Sequence, residues 1–169
     1  MKTEPRTSVL TIGDAGQADI PAIVRMAALL SRHERDPDSL FDVAHATEDL
    51  FGDDPWLFAL MGRIDDRPAG MLLWHLAYET SHAARGGFVV SLWVEEPFRR
   101  RGVATALVAA AADRVRTRGG VYLWWASKPG NRPAHATYAA WDAGSEAVFA
   151  HALVGESFMS IARRHRARR

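Results

Sequence analysis

VVSLWVEEPFRRRGVATALVAAAADRVRTR, residues 89–118, decides the fold. The apolar run from Phe88 to Val94, rich in β-branched and aromatic side chains, has the composition of a buried strand. Pro97 stops that strand, because proline has no N–H to give to a ladder. Beyond it Val103, Ala106, Leu107, Ala110 and Val115 recur at helical spacing and form one apolar stripe. Arg114, Arg116 and Arg118 close that helix, and Gly119-Gly120 stop it. Between strand and helix lies a basic loop of Arg99, Arg100, Arg101 and Gly102, followed by Val103, Ala104 and Thr105. A helix start leaves N–H groups without partners, and its dipole favours an anion. Gly102 and the small Ala104 let a phosphate approach the backbone, while the arginines add charge and fork-shaped donors, so a diphosphate suits this loop. A basic helix start that merely faces solvent is the plainer alternative.

The chain as a whole limits what that loop can serve. Its 169 residues suit one domain, residues 1–169, burying about 70% of the unfolded surface. A net charge of +1 argues against a nucleic-acid partner, and the basic tail 163–169 is expected to fray. No apolar run reaches the length of a membrane span, and MKTEPRTS lacks the apolar segment of a signal peptide. A cytoplasmic protein with no membrane partner is the expectation. The chain has no cysteine, which excludes disulfides, thiolate metal sites and an acyl-cysteine intermediate. His33, Glu34 and His45 lack ligand spacing, so no metal is expected.

Outward from the central stretch, 9–12 reads as a first strand and 20–30 as a helix opened by Asp14 and Gln17. Thr47 is the expected N-cap of a short helix ending at Phe51. Residues 56–64 and 69–78 read as a hairpin turning at 65–68, with a polar connection over 79–87. Residues 121–126 read as a buried parallel strand after the long helix, a right-handed crossover unit. Pro133 starts another helix, 146–153 reads as the last strand, and 156–164 as a terminal helix.

Arg-x-x-Gly-x-Ala at Arg99, Gly102 and Ala104, after a strand ending at Val94 and opening an Ala-rich helix, resembles the acetyl-CoA loop of the GNAT N-acetyltransferases. Phe98 stands for the usual Tyr, and Arg100 stands where many members carry Gly. Asn131, Ala134 and Tyr138 resemble the family's second motif, Asn-x-x-Ala-x-x-x-Tyr. The resemblance implies an α/β (α+β) GNAT fold. That fold has a mixed, mostly antiparallel sheet of about six to seven strands, a splayed central pair and about four helices.

The same resemblance implies an acetyl-CoA-dependent N-acetyltransferase passing the acetyl group directly to a primary amine of a small molecule. Its coenzyme site would comprise Leu92, Trp93, Val94, Arg99, Arg100, Arg101, Gly102, Val103, Ala104, Thr105, Asn131, Ala134 and Tyr138. Tyr138 would protonate the leaving thiolate, for a thiol titrates near about 8.5 and a phenol near about 10. Val94 N–H would stabilise the oxyanion, and Glu79 is carried as the base, with Glu95, His75, His82 and a water chain as alternatives. Ser91, Tyr78 and Trp125 are the acceptor-side candidates. A peptide N-acetyltransferase and a non-catalytic acyl-CoA sensor stay open as alternatives.

Within the superfamily, Phe51-Gly52-Asp53-Asp54-Pro55, the Asn-x-Pro-Ala form of the second motif and Leu153-Val154-Gly155-Glu156 resemble the diamine (spermidine/spermine-type) branch. That branch is commonly dimeric, so a homodimer is expected. Val90-Ser91, however, stand where its members carry Glu-Asp, and Asp142 replaces a glycine. A polycation needs carboxylates around its ammonium groups, so these departures argue against an unmodified polyamine site.

Overall fold

The computed structural model describes residues 8–166, which divide into two compact units, 8–128 and 129–166. The first contains β1 (Leu10–Asp14), α1 (Ile20–Glu34), α2 (Val43–Phe51), β2 (Phe58–Ile64), β3 (Arg67–Glu79), β4 (Ala84–Val94), α3 (Val103–Arg116) and β5 (Tyr122–Trp124). The second contains α4 (Arg132–Ala139) and α5 (Gly155–Arg166). The sheet runs β1-β2-β3-β4-β5, antiparallel through β4, and β5 joins β4 in parallel. The mixed α/β class expected from the sequence is present, with five strands and five α-helices among the described residues rather than six to seven and four.

Alternation along the strands builds a core on each face. Leu60, Leu72, Trp74 and Val89 meet the α3 stripe of Val103, Leu107, Ala111 and Val115. On the other face Met61, Met71, Leu73 and Trp93 meet Ile23 and Met26 of α1 and Ala46 and Leu50 of α2. The β2–β3 hairpin turns on Asp65 and Asp66, both left-handed at φ 50° and 62°, the two-residue turn whose twist matches paired strands.

Gly62 and Gly70 face each other across β2 and β3 beneath the start of α3. A Cβ on Gly70 would lie 2.7 Å from the Trp93 carbonyl oxygen and 3.0 Å from Val103. These two positions let the helix start sit close on the sheet. Gly70→Ala is therefore expected to cost about 1–3 kcal/mol of stability, the range for overpacking. Thermal unfolding measures it, and an unchanged melting temperature would mean the helix start is not so tightly seated.

Four local expectations are corrected. The N-cap of α2 is Asp42, whose carboxylate accepts from His45 N–H at 2.9 Å, while Thr47 lies inside the helix and donates back to the Val43 carbonyl. The helix after β1 opens at a 3-10 turn capped from Gly16, where Asp19 accepts the Gly16 N–H, rather than at Asp14 and Gln17. β3 and β4 extend through most of 79–87, leaving only residues 80–83 between them. Residues 146–153 are not a strand: Val148, Phe149 and Leu153 are exposed, and an alternating pattern becomes a strand only where an edge pairs with it.

Candidate active site

β5 leaves β4 early. The two strands pair only over Gly86–Tyr122, Gly87–Leu123 and Phe88–Trp124, so β4 runs on to Val94 with its ladder on the β3 side alone. Two residues of β4, Val89 and Ser91, pair with Trp74 and Leu73, which leaves Val90 as a bulge. The bulge resets the alternation, so Ser91 and Trp93 join the α1/α2 face while Leu92 and Val94 pack toward α3.

The register also fixes which backbone groups β3 uses. Glu95 N–H donates to the Ala69 carbonyl at 2.9 Å, so Ala69–Glu95 is a bonded pair and Gly70–Val94 an unbonded one. Trp93 therefore spends its backbone on β3, whereas Leu92 and Val94 turn theirs toward the side that β5 has left. Arg99 confirms the direction: its Nε donates to the Val94 carbonyl at 3.1 Å while its guanidinium lies 4.9 Å from the Trp93 ring centre.

The loop from β4 to α3 bends through two left-handed residues, Arg100 at φ 60° and Gly102 at φ 79°. Gly102 is the N-cap of α3 and has no side chain to cap it; the first intrahelical bond runs from Ala106 N–H to its carbonyl. A Cβ there would meet nothing within 4 Å, so the glycine answers the backbone angle and leaves open space before the helix start. Arg101 donates to Ser8 Oγ at 2.5 Å and lies over the Phe98 ring, as Arg67 also does. The residues fit a diphosphate: a glycine-capped helix start, a small Ala104 and an exposed Arg100 beside it.

A non-glycine residue in the left-handed region carries about 1–2 kcal/mol of strain. Arg100→Gly is accordingly expected to raise thermal stability modestly, by up to about 1 kcal/mol after the entropy glycine adds to the unfolded chain. A lowered melting temperature would mean that the Arg100 side chain itself holds the loop.

Within the first unit the other expected residues are not gathered in one place. Glu79 ends β3, about 13 Å along the strand from His75. Its carboxylate accepts the Ser81 N–H at 2.8 Å, and that bond holds it below the usual glutamate range, which makes it a weak base. Glu95 is paired with Arg25. Tyr78 shares the α3 face with Trp74 by strand alternation, and Trp125 packs against the α3-side core, whereas Ser91 is on the opposite face. In the second unit Asn131 caps α4, its side-chain oxygen accepting the Ala134 N–H at 3.3 Å, and Tyr138 packs 5.6 Å from Trp141.

Sequence reasoning missed a row of rings. His75, Phe88 and Trp124 are paired neighbours across β3, β4 and β5, with centroids 5.2 Å and 5.0 Å apart. They lie on the α1/α2 face, because the alternate positions, Trp74 and Gly87, face α3. His75 Nδ1 is 2.8 Å from the Leu76 carbonyl; a carbonyl only accepts, so Nδ1 carries hydrogen and the neutral ring keeps its lone pair on Nε2.

Among known families, the acetyltransferase (GNAT) family model matches residues 24–141, a span that includes the strand, loop and helix just described. The chain belongs to the GNAT acetyltransferase family. As a member it is an acetyl-CoA-dependent N-acetyltransferase, and acetyl-CoA is its coenzyme. No curated protein matches it in sequence. Solved structures share the fold at low identity. One is an integron cassette protein from the V. cholerae mobile metagenome, with TM-score 0.75, 16% identity, and 91% of this chain and 98% of that one covered. Another is aminoglycoside N-acetyltransferase AAC(6')-Iy in complex with CoA, with TM-score 0.73, 20% identity, and 90% and 100% covered. A third is the ribosomal-protein-alanine N-acetyltransferase of Brucella melitensis, with TM-score 0.68, 20% identity, and 87% and 99% covered.

Proposed function

We propose that this GNAT enzyme transfers the acetyl group directly to a primary amine of a small molecule while coenzyme and acceptor are bound together. The observation that carries the reading is the open run of β4 to Val94, leading into a helix start capped only by Gly102. The amides opening α3 would hold the diphosphate, and the backbone of Leu92 and Val94 would pair with the pantetheine arm. Arg99 Nε now occupies the Val94 carbonyl and would release it for a pantetheine N–H. Val94 N–H then faces the thioester oxygen as its charge develops. Holding both reactants on one rigid strand supplies the alignment that a bimolecular encounter lacks.

Tyr138 is the acid that protonates the departing sulfur, a role resting on its place in the Asn131–Ala134–Tyr138 motif. For the base, His75 is a better choice than Glu79, since its Nε2 lone pair is available whereas the Glu79 carboxylate is committed to its turn. The diamine-type motifs support a small amine, although Val90-Ser91 supply none of the acids that branch uses. A cytoplasmic homodimer completes the reading; exposed Phe149, Leu153, Phe158 and Ile161 support self-association through the second unit. Thiol release from acetyl-CoA, followed with polyamines, amino acids, aminoglycosides, arylamines and short peptides, tests the function. Turnover with a small amine is expected; turnover with peptides alone would replace it by a peptide acetyltransferase, and coenzyme binding without turnover by a sensor.

A further inference from the structure

The row His75–Phe88–Trp124 crosses three paired strands, with ring centres 5.2 Å and 5.0 Å apart. Trp124 is 45% exposed on a strand of three residues at the sheet edge, so its ring is open to a ligand. The row ends where β5 leaves β4, and Ser91, on the same face, lies about 10 Å further along β4 toward Val94. Anything resting on these rings therefore lies beside the edge on which the thioester is proposed to sit. The available chemistry is aromatic and neutral: two ring faces, an imidazole with a free Nε2 and a serine hydroxyl. The carboxylates closest along these strands are engaged, Glu95 with Arg25 and Glu79 with the Ser81 amide.

We propose that this row is the floor of the acceptor site and that the acceptor is an amine carried on an aromatic ring. The ring stacks on the Phe88–Trp124 end, and its neutral amine is directed along β4 toward the acetyl carbon. There the nitrogen bonds to that carbon, the C–S bond breaks, the amine gives up one proton and the sulfur leaves with one. The products are an N-acetyl amide and free coenzyme A. Stacking against two rings favours an aryl acceptor over an alkyl one of equal length. A polycation would instead find no carboxylate to pair with in this row.

The inference rests on the transferase reading, and one experiment separates the two. Thiol release from acetyl-CoA is measured with phenethylamine and tryptamine against hexylamine and spermidine. The aryl amines are expected to show kcat/KM about three- to tenfold higher, a preference of the size ring stacking supplies. In Trp124→Ala that ratio should fall to about one, whereas Trp124→Phe should keep most of it. Because a ratio is read, partial damage to folding does not imitate the result. A preference for hexylamine or spermidine, an unchanged ratio in Trp124→Ala, or coenzyme binding with no aryl amine turned over would each overturn the aromatic acceptor. Spermidine turnover would do so while leaving the transferase standing; failure to bind coenzyme A at all would remove both.

Discussion

Ala104→Glu is expected to abolish coenzyme A binding and leave the chain folded. Residue 104 lies in the first turn of α3, one position after Val103, and is only partly buried. A carboxylate in a helix's first turn interacts favourably with the dipole, so the substitution should hold or slightly raise stability. The same carboxylate would stand where the diphosphate is proposed to sit, and like charges brought together cost several kcal/mol. Affinity should therefore fall by about 100-fold or more, each tenfold being about 1.4 kcal/mol. Calorimetric titration with coenzyme A reads the loss, and thermal unfolding shows that the protein is intact. Ala104→Gln, which matches the size without the charge, should retain most of the binding. Equal losses in both variants would point to bulk rather than charge and weaken the diphosphate assignment.

Tyr138→Phe is expected to lower thiol release by about 100- to 10,000-fold, the range for removing a general acid. Coenzyme affinity should stay within about twofold, because the ring and its packing on Trp141 are retained. A variant with undiminished turnover would show that the sulfur takes its proton elsewhere, and Tyr138 would then be a packing residue of α4.

The central strand, the loop and the long helix were legible because each signal was local. An apolar β-branched run, a proline, a glycine and a helical stripe need only their own neighbours to be read. The glycine-capped start at Gly102 follows from that pattern, and so does the expectation of a phosphate group. What the sequence hid depends on pairing. The bulge at Val90 is invisible without β3 beside β4, yet it decides that Ser91 shares a face with Trp93 and lies opposite Tyr78. The row of His75, Phe88 and Trp124 joins residues up to 49 positions apart (75 to 124), and only the register across three strands assembles it. Glu79 carried a titratable group near the expected cleft, but its turn with Ser81 could not be foreseen from residue type. Residues 146–153 alternate like a strand, and local pattern says nothing about whether an edge is there to receive them.

The loop departure at Arg100 also acquires a physical meaning. Its φ of 60° lies in the region glycine occupies freely, so the Gly seen in many family members and the Arg here answer one backbone requirement at different cost. In this chain the guanidinium is retained next to the helix start, where it adds charge for an anion.

The account's central claim is that the backbone opening α3, together with the open edge of β4, holds the coenzyme. Amide chemical shifts of isotopically labelled protein, recorded while coenzyme A is added, test it most directly. The largest changes are expected at Arg101, Gly102, Val103, Ala104 and Thr105, with a second group at Leu92 and Val94. If those amides stay still while the coenzyme saturates the protein and other residues move, the coenzyme is bound elsewhere and the claim is wrong.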